Sequence, residues 1–147
     1  PDAIGELLVG TILVVMSMVK GIVIVDALHI VLFIVSIIAG AVIYSAIKLF
    51  FASISFWVKM SGPFLQVAYE MADFAKYPIE IYSKPVRFIL TAVIPFAFVA
   101  YIPESYFLLD KSPWTTVGIE CAIAVVFWIV AYSFFKHGVS KYESAGN

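Results

Sequence analysis

Apolar residues run along this chain in long blocks instead of alternating with polar ones. Residues 4–19 hold one ionisable side chain, Glu6, and Lys20 follows them. The block resumes with IVIV at 22–25 and stops at Asp26. A first membrane helix over 4–25 is expected if Lys20 lays its stem along the helix and lifts its ammonium to the surface. The second block, 27–57, contains only His29 and Lys48 as ionisable groups. Wholly helical, it would measure roughly 46 Å, more than the ~30 Å hydrocarbon core of a bilayer. The expected placement is a core over 28–47 with Lys48 at the interface. An aromatic foot of Phe50, Phe51, Phe56 and Trp57 then lies at headgroup level.

The pattern changes over 58–86. Lys59, Glu70, Asp73, Lys76, Glu80 and Lys84 fall here, with Gly62 and three prolines, Pro63, Pro78 and Pro85. Residues 64–77 predict one amphipathic helix, with Pro63 near its first turn and Pro78 as its stop. A third span over 87–103 opens on Arg87, is interrupted by Pro95 and closes at Pro103. Two prolines in so short a stretch predict a kinked or broken helix, which survives in lipid where protein neighbours satisfy the freed carbonyls. The apolar run at 106–109 is too short to span and is expected to lie at, or dip into, the interface. Ser112 and Pro113 form an N-cap and first-turn pair for a fourth span over 114–135, whose only charge is Glu120. A polar tail follows. The predicted fold is an all-α membrane protein: one transmembrane domain over 1–147, four spans, a cytoplasmic amphipathic helix, and a broken or re-entrant segment before the last span.

Composition sharpens this reading. Hydrophobic residues make up 63% and charged residues 13% of the chain, and mean hydropathy is +1.05. A soluble domain is nearer 45–50% and about 25%, so 19 charges could not cover this much apolar surface. A net charge of −1 without a basic stripe argues against nucleic acid as a partner. The single cysteine, Cys121, excludes an internal disulfide, and His29 and His137 lack metal-ligand spacing. There is no GxxxxGK[ST] loop and no GxSxG elbow. No catalytic residue, metal ligand or cofactor is expected on this chain. The chain opens on Pro1-Asp2-Ala3 without a basic region or cleavage site, so it is expected to begin inside a longer protein with a helix opening on Asp2. Four spans place both ends and the long loop on one side. That side carries Lys59, Lys76, Lys84, Arg87, Lys136 and Lys141, with Lys48 facing it, against Lys20 and Lys111 opposite. The positive-inside rule makes the loop and both ends cytoplasmic.

Two stretches carry a resemblance: FAKYPIEIY at 74–82 and PVRFILTAVIPFAFVAYIP at 85–103. Together with IGELL at 4–8, Phe56-Trp57 at the end of the long span and YESAG at 142–146, they resemble the C-terminal half of a bacterial ABC transporter permease. The class is the type-2 exporters, with six spans per subunit. The resemblance implies a subunit of the bacterial cytoplasmic membrane that pairs with a second copy or a related permease, and with a separate ABC ATPase subunit. ATP and Mg would be bound by that ATPase, whose cycle would drive alternating access and the export of an unidentified substrate. Two further spans and the first coupling helix would lie upstream of Pro1.

Three residues are candidates for a substrate path or gate. Glu120 lies six residues into the fourth span. An ionisable group in a span is a functional candidate, but from that depth the carboxylate can also reach the outer interface. Pro95 and Pro103 either shape a bent helix at an extracellular gate or form a kink that neighbours tolerate. Glu70, Asp73, Lys76 and Glu80 are candidates for a partner-contacting loop, against the plainer reading of a solvated face with an Asp73–Lys76 pair. Arg87 is expected to anchor the third span at the headgroups. Ser36 and Gly40, like Gly118 and Ala122, have the spacing that lets helices approach closely. A different class of function remains open: a non-transporting membrane scaffold that docks a cytoplasmic protein through 58–86.

Overall fold

A computed structural model describes residues 2–23, 26–58, 62–99, 101–109 and 112–141. Lys59, Lys111 and the tail motif at 142–146 lie outside the described residues. The described residues form helices and turns only.

The first helix, α1 (Asp2–Val19), ends where its backbone is capped. Gly21 adopts φ 66°, while Ile22 N–H bonds to Ser17 O and Gly21 N–H to Met18 O. This is a Schellman cap, which needs a left-handed residue that glycine supplies without strain. The expected extension of the first span to residue 25 is therefore overturned: α1 stops at Val19, at roughly 27 Å.

Asp26 opens α2 (Ala27–Ser53) by accepting the His29 N–H at 2.8 Å. A short α3 (Ser55–Val58) continues the direction of α2, so that Ala27–Val58 forms one 32-residue apolar rod. The rod loosens where Ser53 and Ser55 return their hydroxyls to the carbonyls of Leu49 and Ala52. The predicted amphipathic helix is α4 (Gly62–Ala72), tightening into a 3₁₀ turn over Asp73–Lys76 before Pro78. A second 3₁₀ turn covers Ile79–Ile81.

The third predicted span is the most altered. It begins at α5 (Lys84–Phe88), widens into a π turn over Ile89–Val93, and breaks at Ile94-Pro95. Pro95, at φ −76° and ψ 51°, centres an inverse γ-turn closed by Phe96 N–H to Ile94 O at 2.6 Å. After a 3₁₀ turn at Phe96–Phe98 comes α6 (Tyr101–Leu109), and the two arms are bent by 72°. Two expectations change. Pro103 does not close the span but sits in the first turn of α6, where a missing N–H costs nothing within the helix. The apolar run at 106–109 is the end of α6, not a separate interfacial piece.

The last helix, α7 (Ile119–Lys141), is preceded by a π turn over Trp114–Gly118. Ser112 contributes its backbone carbonyl there, to the hydroxyls of Thr115 and Thr116, and not the predicted hydroxyl cap.

The packing fixes the direction of each rod. Glu120 lies against Gly40, Phe134 stacks on Phe50 at 4.7 Å, and Gly138 abuts Phe56. Thus α2 and α7 run parallel. By contrast, Val99 meets Gly40 while Phe107 packs edge-on against Phe33, so the α6 arm runs antiparallel to α2. The core lies among these three, built from Ala39, Ile43 and Ile47 of α2, Ala124 of α7, and Leu90 and Phe96–Phe98 of the bent segment. Ile79 joins it from the loop. Outside that core the helices present continuous apolar faces. Leu28, Val31, Ile34 and Ile38 of α2, Val125 and Ile129 of α7, and most of α1 are exposed. Among the described residues, two helices are long and apolar enough to span a bilayer, and the bent pair is a third if counted as one span.

Candidate functional site

Three elements converge on Gly40. A Cβ built there would lie 2.7 Å from the Val99 carbonyl oxygen and 3.5 Å from Glu120 Oε1. Only glycine lets the α2 backbone come this close to the bent segment and to α7. Glu120 is 0% exposed. Its side chain does not reach the outer interface; it is enclosed between helices. Ser36, one turn earlier on α2, is near enough to interact with the carboxyl, yet neither carboxylate oxygen has a hydrogen-bond partner among the described residues. Pro95 and Pro103 are also fully buried. All three residues singled out from the sequence are buried: Glu120 beside Gly40, Pro95 at the break of the third segment next to the core residue Phe96, and Pro103 at the start of α6.

Beside this interior is a cavity of about 630 Å³ between α1, α2 and α6. Phe33, Ser36 and Pro103 line it, together with Ser17, His29 and Glu104. His29 is fixed at its mouth by the Asp26 carboxylate, 2.7 Å from Nδ1, and by stacking on Tyr106 at 5.1 Å. Asp26 lies outside the spans. The His29 backbone N–H, and then the His29 side chain, hold its carboxyl below the usual aspartate range.

The loop is joined to the same segment. The Tyr101 hydroxyl, at the start of α6, donates to the Glu80 carboxylate. Arg87 Nη2 donates to the Glu80 backbone carbonyl at 3.0 Å, and the Tyr82 hydroxyl to the Phe74 carbonyl at 3.3 Å. Arg87, expected at the headgroups, is half-buried and braces the loop instead. Glu70 and Asp73 are exposed, and Glu70 accepts from Gln66 at 3.0 Å. The Lys76 side chain, and with it the expected Asp73–Lys76 pair, lies outside the described side chains. Lys48 holds α4 on α2: its Nζ lies 4.1 Å from the Tyr44 ring centre and 4.6 Å from that of Tyr69.

Of the two small-residue pairs, Ser36 and Gly40 are both buried on one face of α2, whereas Ala122 is exposed. Tyr101 and Gly138 were not foreseen. Gly138 falls in the expected polar tail, and nothing local indicated that α7 would run on to Lys141 or that Phe56 would press on it.

Comparison with known proteins finds a match to one family model, described as ABC-2 family transporter protein, over residues 1–146. No curated protein and no solved structure matches the chain. The described residues are helical, with at least two candidate membrane spans, and the match runs along the length of the chain. The chain belongs to the ABC-2 family of transporter proteins, whose permeases are non-catalytic membrane components.

Proposed function

We propose that the chain is part of the permease of an ATP-driven exporter, moving its substrate across the bacterial cytoplasmic membrane by alternating access. The observation that carries this reading is the family match over residues 1–146. The geometry supports a mechanical role. In this reading α2 and α7, being parallel, cross in the same direction, so the chain between them returns once across the bilayer. The bent pair Lys84–Val93 and Phe96–Leu108 is the apolar segment available for that return. With α1 this makes four crossings and puts both ends and the 58–86 loop in the cytoplasm, in keeping with the basic residues there.

An ABC ATPase subunit would dock on the loop, with Glu70, Asp73, Lys76 and Glu80 as its contacting residues, and would bind the ATP and Mg. Its movement would pass through Glu80 to Tyr101 and so to the α6 arm. Pro95, Pro103 and Glu120 would shape the path that this arm opens. A second permease, identical or related, would complete the conduit.

Mild-detergent purification of the full-length protein from its native membrane, followed by mass spectrometry, tests the reading. A stoichiometric ABC ATPase supports it. A preparation that carries a different cytoplasmic protein, or none, overturns it in favour of a scaffold.

A further inference from the structure

Among the described residues, the carboxyl of Glu120 has no cation to balance it. The titratable groups on the elements packed around it are engaged or turned elsewhere. On α2, His29 is held by Asp26 and Tyr106, and Lys48 by Tyr44 and Tyr69. On α6, Tyr101 donates to Glu80, and Glu104 lines the cavity. On α5, Lys84 is exposed and the Arg87 guanidinium donates to the Glu80 carbonyl. Cys121, beside Glu120 on α7, offers no positive charge. Nor is Glu120 at a free helix N-terminus. The preceding π turn, closed by Gly118 N–H to Pro113 O at 2.9 Å, carries the helix back beyond it, so the orphan N–H groups and the dipole end lie elsewhere. An ionised carboxylate here would be a buried charge with only the neutral Ser36 hydroxyl near it, and such a group takes up a proton instead.

A second group on the same spot needs a donor. No backbone N–H among the described residues bonds to the Val99 carbonyl. The residue four positions ahead, which would supply one in a continuous helix, is Pro103, and proline has no N–H. The Val99 carbonyl oxygen and Glu120 Oε1 both lie within 3.5 Å of a single point above Gly40. An ionised Glu120 could only accept, and would face another acceptor. A neutral one carries a hydroxyl.

We infer that Glu120 is held in its neutral form and donates its carboxylic hydroxyl to the Val99 carbonyl left unpaired by Pro103, making it the positioning residue that fastens the broken segment to α2 and α7. The inference rests on the packing and not on the transporter reading, and its test measures no transport.

The test is infrared spectroscopy of the full-length protein in lipid nanodiscs at neutral pH, in the region of the protonated carboxylic C=O stretch. Wild-type protein is expected to show a band that Glu120→Gln removes. Glu120→Gln, whose amide still donates, should retain wild-type thermal stability, whereas Glu120→Met should lose it. Pro103→Ala, which restores an N–H to Val99, should shift the band towards the position of a free carboxylic acid. That variant keeps the test available if changes at Glu120 prevent folding. No protonated band in the wild type would overturn the inference, as would a band unmoved by Pro103→Ala. Sodium-dependent stabilisation that Glu120→Gln abolishes would replace the proton by a bound cation, and would also overturn it.

Discussion

Glycines in this chain differ by what stands opposite them. Gly40 faces a backbone oxygen that would lie 2.7 Å from a new Cβ, while Gly10 has nothing within 4 Å. Gly40→Ala must push the bent segment away from α2, and overpacking of this kind costs about 1–3 kcal/mol. Gly10→Ala removes backbone freedom in the middle of α1 without a clash and should stabilise by up to about 1 kcal/mol. Thermal unfolding of the two variants in one detergent checks the contrast: a lowered midpoint for Gly40→Ala and an unchanged or raised one for Gly10→Ala. Spacing alone could not rank these positions. Ser36-Gly40 and Gly118-Ala122 look alike in sequence, and what separates them is a carbonyl some sixty residues away that only the folded chain brings to Gly40. Asp26 offers a second residue-level prediction. Its lowered pKa means that the cap's contribution is fully present above the ordinary aspartate range and is lost as pH falls through the lowered value. Asp26→Asn keeps a capping side chain but should flatten that acid limb, measured as the pH dependence of the melting midpoint.

Among the elements, the long apolar rods and the amphipathic helix were legible because each is specified by its own residues: block hydropathy for α2 and α7, Pro63 and Pro78 for α4. The bent segment was legible only as a break. Pro95 announced the interruption, but the direction of the second arm depends on Phe33, His29 and Gly40, which belong to another helix. Pro103 likewise signals a helix end or a first turn with equal force, and packing chose the first turn. The Tyr101–Glu80 hydrogen bond is the direct side-chain tie from the loop to this arm. Tyr101→Phe should cost about 1 kcal/mol, the ordinary net worth of one hydrogen bond. Glu80→Gln should cost less, because Glu80 is exposed and its amide oxygen still accepts. Once Tyr101 is Phe, changing Glu80 should have little further effect, and a double-mutant cycle on thermal stability would show this as a coupling energy equal in size to the Glu80→Gln loss. Additive losses would mean that the two side chains act separately. The loop would then be held to the bent segment by the Arg87–Glu80 bond on α5 and by the packing of Ile79 in the core.

For the whole molecule, the decisive feature is that α2 and α7 point the same way. Two parallel spans joined by 55 residues (59–113) require an odd number of crossings between them, and that constraint acts on the bent pair whatever its local angle. A 72° bend on its own fits either a re-entrant loop or a broken span. In the proposed reading the parallel rods favour the span, whose second arm packs Phe107 and Tyr106 against Phe33 and His29 near the beginning of α2. The claim can be tested by labelling from either side of the membrane. Cys121 is the only cysteine in this sequence, so Cys121→Ala clears the background from this chain. Single cysteines are then placed at Gly62, Ser112 and Ser140, all exposed and all at or next to helix ends. Gly62→Cys and Ser140→Cys should react with an impermeant thiol reagent only when the cytoplasmic face is open. Ser112→Cys should react from the outside. If Ser112→Cys and Gly62→Cys label from one side, the bent pair returns without crossing. In that case α2 and α7 could not both span the membrane in the direction their packing shows. Four crossings would fail, and with them the placement of the loop where an ATPase could reach Glu80.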